Sequence, residues 1–204
     1  ALEQLAMVEK TMGQTRPWHL ARAEGFRQEQ KFANAEKEYR AALADTPDDL
    51  TTQLALAETL YRLHRYNDSI ATLATAQKLA PTEPTIYSQT ALNYAKLGQR
   101  DQAIRNVQLA EQYGNNSSAI LMATGMVFLD MGDRNAAMQR FSRALDSPEG
   151  TVVATRLAIA QLFEHDGRFD DARRQVGNGA GQRDPDGHAP FRVLQGNGAD
   201  QVPA

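Results

Sequence analysis

The chain has 204 residues, 42% of them hydrophobic, a formal charge of −3 and no cysteine. Such a length can bury the core of one domain or a short array. The missing thiols exclude disulfides, cysteine zinc sites and thiol catalysis. Lys and Arg are scattered, with no basic stripe to track a phosphate backbone, so nucleic acid is not an expected partner. The longest apolar stretch, Ala119 to Leu129, is too short to span a bilayer and contains Thr124 and Gly125, so no membrane insertion is expected.

In chain order, residues 1–14 read as one amphipathic helix, and from residue 16 onward the sequence repeats itself with a period of about 34 residues. Equal steps of one period from Ala23 reach Ala57, Ala91 and Gly125, and a step one position longer reaches Ala160. From Phe26 the same steps reach Leu60, Tyr94, Phe128 and Phe163, all large; from Ala35 they reach Ser69, Ala103, Ala137 and Ala172, all small. Tyr39 leads to Leu73, Val107, Phe141 and Val176, and Ala42 leads to Ala76, Ala110 and Ala144 before the pattern fails at Gly179. The units so marked are 16–49, 50–83, 84–117, 118–152 and a truncated 153–177. Ala1, Leu5 and Val8 stand one period before Ala35, Tyr39 and Ala42, so 1–14 fits the second helix of an incomplete preceding unit.

Small and large residues three or four apart share one helix face. A small residue lets a neighbouring helix approach, and a large one fills the groove beside it. Each unit therefore holds two helices, in the third roughly Thr85 to Leu97 and Gln102 to Gln112. Gly98, Gly132 and Gly167 fall between them, where a left-handed residue ends a helix at little cost. Asn67, Asp101, Asn135 and Asp170 are the expected caps of the second helices, and Pro47, Pro81 and Pro148 close units and start the next helix.

The period and the small–large–small–large–small columns resemble the tetratricopeptide repeat, over about residues 1–177. Arg22, Thr90 and Thr124 stand where the family usually has Leu, beside the matches Leu56 and Ile159; Asn115 replaces a closing Pro, and Gln30 and His64 replace the turn Gly. The resemblance implies an all-α, right-handed α-solenoid of antiparallel helix hairpins, with a concave groove lined by the first helix of each unit. Its rows would hold Leu20, Leu54, Ser88, Met122 and Leu157; then Glu24, Glu58, Leu92, Met126 and Gln161; then Arg27, Tyr61, Ala95, Leu129 and Glu164; then Gln28, Arg62, Lys96, Asp130 and His165, with Gln89 alongside. Relatives that clamp a chaperone's terminal carboxylate use Lys and Asn on these rows; Leu and Ser stand at the first Lys position here, and Glu24 and Glu58 where Asn would help. The groove reads as acidic at its start and apolar at its middle, where Met122, Met126 and Leu129 form an adaptable strip.

A catalytic reading finds little support. His19, His64, His165 and His188 have no metal-like companion on a shared helix face. Glu164, His165 and Asp166 are adjacent and so point to different sides of a helix. The glycines after Gly177 have no preceding strand to make a phosphate loop, and the acids of DMGDRNAA lack the later ligands of a calcium loop. The expectation is a non-enzymatic scaffold without cofactor or metal, binding a peptide or amphipathic helix of another protein. The alternatives are an accessory region of a larger enzyme or secretion machine and a module that self-associates through uncapped ends. Residues 178–204, rich in Gly and Pro around the apolar island Phe191, Val193 and Leu194, read as a flexible tail that could fold back into the groove. The chain is expected to be a segment of a longer array, soluble in the cytoplasm or periplasm.

Overall fold

The computed structural model describes residues 15–146, 152–165 and 167–177. The readings of 1–14, of Pro148, of Asp166 and of the 178–204 tail lie outside these residues. The described residues form ten α-helices and no strand: α1 Arg16–Gln28, α2 Phe32–Asp45, α3 Leu50–Arg62, α4 Tyr66–Leu79, α5 Pro84–Lys96, α6 Arg100–Tyr113, α7 Ser118–Asp130, α8 Arg134–Asp146, α9 Val152–His165 and α10 Phe169–Gly177. They follow one another as the antiparallel hairpins of an all-α solenoid. Two compact units divide the chain, Ala1–Thr155 and Arg156–Ala204, and each is taken by itself.

In the first unit α1–α2, α3–α4, α5–α6 and α7–α8 pair as hairpins, and each second helix also packs on the next first helix. The repeated columns are the core. Ala23, Ala57, Ala91, Ala35, Ser69, Ala103, Ala137, Ala42, Ala76 and Ala110 are wholly buried, and Tyr39, Leu73, Val107 and Phe141 fill the space beside them. Ala23, Ala35, Tyr39, Leu43, Leu56 and Leu60 make one cluster; Ala57, Leu73, Ala76, Ile86, Tyr87, Ala110 and Ile120 make the next. The spacing alone predicted these faces, because a fixed period puts the same contact between every pair of neighbours.

One device makes every hairpin turn. The amide of Lys31 donates to the Phe26 carbonyl (2.8 Å) and that of Gln30 to the Arg27 carbonyl (3.0 Å). The same two bonds recur as Arg65 to Leu60 with His64 to Tyr61, Gln99 to Tyr94 with Gly98 to Ala95, and Asp133 to Phe128 with Gly132 to Leu129; in the second unit Arg168 to Phe163 and Gly167 to Glu164 repeat them. This is the Schellman termination, which requires a left-handed residue. Gly98, Gly132 and Gly167 take it at φ of 70°, 76° and 72°, and Gln30 and His64 take it too, at 58° and 59°. A side chain in that region costs about 1–2 kcal/mol. Gln30→Gly is therefore expected to stabilise the protein by about 1 kcal/mol in urea unfolding; an unchanged midpoint would mean that Gln30 leaves this conformation in solution.

Two expectations need correction. Asn67, Asp101, Asn135 and Asp170 do not cap the second helices but sit one residue inside them. The turn leaves a single residue between the left-handed position and the helix, so Arg65, Gln99 and Asp133 precede the first turn, and Asp133 Oδ1 accepts from the Ala136 amide at 3.0 Å. Asp101 and Asp170 still lie in the first turn, where the helix dipole favours an acid. Pro47 and Pro81 likewise lie in connecting segments; the prolines of the first turns are Pro17 and Pro84. Both connecting prolines offer their carbonyls to the following helix, Pro47 to Gln53 Nε2 (2.9 Å) and Pro81 to the Tyr87 hydroxyl. Asp49 and Glu83 cap those helices, accepting from the Thr52 and Thr85 amides. Burial opposes the charge on Asp49, but hydrogen bonds from Thr52 and Arg16 outweigh it and hold the carboxyl below its usual range.

Candidate functional site

Within the first unit the first helices lie side by side, α5 close along α7 and more loosely along α3. One contact marks a face of this row: Tyr61 on α3 donates from its hydroxyl toward Asp130 Oδ2 on α7, two hairpins further on, at 3.5 Å. Tyr61 and Asp130 therefore share a face with the intervening α5, the face on which the groove is expected. Lys96 on the intervening α5 donates to Asp130 Oδ1 at 2.8 Å, so three successive helices meet at one carboxylate. That bond holds the Lys96 ammonium above its ordinary range; burial, and then the nearby Asp130 charge, push the Tyr61 phenol up.

The residues expected in the groove divide into distinct groups. Leu20 and Leu54 are partly buried against the two core clusters. Ser88 corrects the expectation outright. It is 3% exposed and its hydroxyl donates to the Thr85 carbonyl at 3.1 Å, so it is turned into the protein. Ala95, from the outer rows, is buried as well. Glu24 is held by Arg27 (2.7 and 2.9 Å) and Gln28 (3.3 Å), with the Tyr39 hydroxyl at 3.5 Å. The Arg27 bond keeps its carboxyl below the usual range in spite of burial. Glu58 stands 3.9 Å from Arg27 and 3.8 Å from Arg62. The acidic start of the groove is thus matched by arginines one turn away, and the face there is a ladder of mixed charge.

The apolar middle has the opposite character. Leu92, Met122 and Leu129 are half-buried and Met126 is 39% exposed. Leu157, at 53% exposure, and the exposed Gln161 belong to the second unit.

Between α3 and α5 the surface opens into a cavity of about 170 Å³ lined by Ala57, Glu58, Tyr61, Arg62, Ser69, Gln89, Leu92 and Asn93. Asn93 was not among the residues singled out from the sequence. Its register offered a signal, since Gly25, Thr59 and Val127 stand one period or more away, and its partner Ser69 is the one hydroxyl in a column of alanines.

Other polar groups are occupied within the protein. His19 Nδ1 lies 2.7 Å from Glu38 Oε2, and His64 Nδ1 2.8 Å from the Tyr66 hydroxyl. Asp133, of the DMGDRNAA stretch, pairs with Arg100 at 3.2 Å. Among the described residues no group of three or more His, Asp or Glu is placed to hold a metal ion, and no helix is long and apolar enough to cross a membrane.

Two models of the tetratricopeptide repeat match the chain, over residues 26–92 and 122–188. A search of curated protein sequences finds no match. Several solved structures share the fold. A thermophilic tetratricopeptide repeat protein of Thermus thermophilus is 20% identical with a TM-score of 0.68, covering 80% of this chain and 89% of its own. A chain of the APC/C hetero-tetramer Cut9–Hcn1 is 16% identical with a TM-score of 0.67, over 84% of this chain and 35% of its own. PilF of Pseudomonas aeruginosa is 17% identical with a TM-score of 0.58, over 87% of this chain and 82% of its own.

Proposed function

This chain belongs to the tetratricopeptide repeat family, and we propose that it works as a non-enzymatic scaffold whose concave face receives a peptide or amphipathic helix of another protein. What supports the reading is Met126, 39% exposed and sharing a face of α7 with the half-buried Met122 and Leu129 a turn to either side, with the half-buried Leu92 on α5. Methionine adapts to irregular partners, and several large apolar side chains left partly in water call for something to cover them. An amphipathic helix presenting side chains at helical spacing meets that requirement.

Burying the rest of these four side chains contributes roughly 3–6 kcal/mol before ordering costs. That magnitude suits weak, reversible binding rather than obligate assembly. The mixed-charge ladder of Glu24, Arg27, Glu58 and Arg62 would then set orientation more than affinity.

Met126→Glu tests the reading. In a pull-down with the purified chain, a partner captured by the native protein should be lost or weakened about tenfold or more, while the thermal midpoint stays within a degree or two of the native value. Unfolding of the variant would show Met126 to be core and would remove the groove.

A further inference from the structure

The cavity between α3 and α5 has a floor that the hairpin packing does not satisfy. Asn93 is 1% exposed, and its Nδ2 donates twice, to Ser69 Oγ at 3.0 Å and to the main-chain carbonyl of Gln89 at 2.8 Å. Ser69 in turn donates its single proton to the Ala57 carbonyl at 2.8 Å. The orientation of the amide follows from these partners, because only a donor can face the Gln89 carbonyl and only a donor can complete Ser69. Asn93 Oδ1 is left buried with no partner, and so is Oε1 of the neighbouring Gln89. Both residues, like Glu58, line the cavity. Its volume of about 170 Å³ is far more than one water needs.

We propose that this cavity is an anchor pocket for a lysine side chain of the segment bound in the groove. An ammonium carries three donors and no acceptor; the Glu58 side chain is 39% exposed, and Asn93 Oδ1 and Gln89 Oε1, closed to water in the unliganded chain, are the unpartnered acceptors of the residues that line the cavity. Ala57, Leu92 and the Tyr61 ring supply apolar wall for the alkyl stem. Arg62, the one cation of the lining, and Arg27 beyond it stand 3.8 and 3.9 Å from Glu58; Arg62 has more than half its side chain in water, so it can swing away as the ammonium takes its place, while Arg27 stays on Glu24. A bound carboxylate would find the reverse of what it needs, acceptors in front and one mobile arginine at the rim. No other hairpin junction of the first unit repeats the pair, since Ala35, Ala103 and Ala137 replace Ser69 in its column.

The inference rests on the groove reading for the source of the lysine, but the pocket can be tested without it. The probe is n-butylammonium chloride, titrated into the full chain while the side-chain amide signals of Asn93 and Gln89 are followed by NMR, with butyramide and sodium chloride in parallel. Saturable shifts of both signals with butylammonium, at least tenfold weaker with butyramide, are expected. They should be lost in Glu58→Gln and in the double variant Ser69→Ala/Asn93→Val, which restores residues found at the same register in other hairpins and so keeps the fold. No saturable shift in the folded native chain, equal response to butyramide, or retained binding in both variants overturns the proposal. The two readings part cleanly: a protein partner lost in Met126→Glu but insensitive to Glu58→Gln sinks the pocket and leaves the groove, whereas butylammonium bound at Asn93 with no partner sensitive to Met126 does the opposite.

Discussion

Gly125→Ala is expected to destabilise the protein by about 2 kcal/mol, although helix propensity alone predicts a gain of about 1 kcal/mol for that exchange. Gly125 lies within α7, and a methyl group there would stand 2.4 Å from Phe141 Cε1 and 2.8 Å from Cδ1. Phe141 on α8 is wholly buried, so its ring has no exit. The same two columns are balanced differently in the other hairpins. Ala57 shares a cluster with Leu73, and Ala23 with Tyr39, and there the larger small residue is accommodated. Only the fourth hairpin sets a glycine against a phenylalanine. A double-mutant cycle decides the matter: in a Phe141→Leu background Gly125→Ala should become neutral or stabilising, with a coupling of about 2 kcal/mol between the sites. A single Gly125→Ala variant with a raised urea midpoint would show that the ring packs elsewhere.

Arg140→Ala is expected to cost about 3 kcal/mol. Arg140 Nε donates to Glu111 Oε1 at 2.9 Å, and the Thr124 hydroxyl donates to the same oxygen at 3.0 Å, so one carboxylate ties α6, α7 and α8 together. Both ionic side chains are more than four-fifths buried, and the guanidinium carbon lies 4.2 Å from the centre of the Phe128 ring. Truncating the arginine would strand a mostly buried carboxylate and uncover the ring in one step. Removing the charges together, as Glu111→Leu/Arg140→Leu, should recover most of the loss, because two apolar groups need no partner where one buried ion does. Urea unfolding of the two forms measures both effects; a loss below about 1 kcal/mol for Arg140→Ala would place the pair in solvent. Thr124, out of place by the family pattern, thus finds its physical reason in this network.

The helices and their buried faces were legible because their evidence is local and repeated. A small residue at Ala91, a large one at Tyr94 and a small one at Ala103 make the same contact as their counterparts one period away, so each unit restates the packing. The glycine turns were legible for a similar reason, although Gln30 and His64 show that the left-handed position outlasts the glycine. The cap residues were misplaced by two positions because the turn's hydrogen bonds, rather than side-chain type, decide where the second helix begins.

The groove residues were less legible. Being off the core columns is necessary for exposure but not sufficient. Ser88 satisfies its hydroxyl within its own helix, Leu20 and Leu54 pack against the hairpin clusters, and Glu24 meets Arg27 one turn away. Asn93 was passed over because its significance lies in Ser69, a residue on another helix, and in the acceptor that their bond leaves buried without a partner.

By itself, then, the sequence determined the paired helices, their period and the faces they bury, since each depends on the spacing of a helical turn or of a whole repeat, which a single chain displays directly. Only the tertiary structure decided which first-helix side chains stay open and which meet across the row. Tyr61 and Asp130 touch across two hairpins, and no stretch of sequence short enough to read as a pattern contains both ends of that contact.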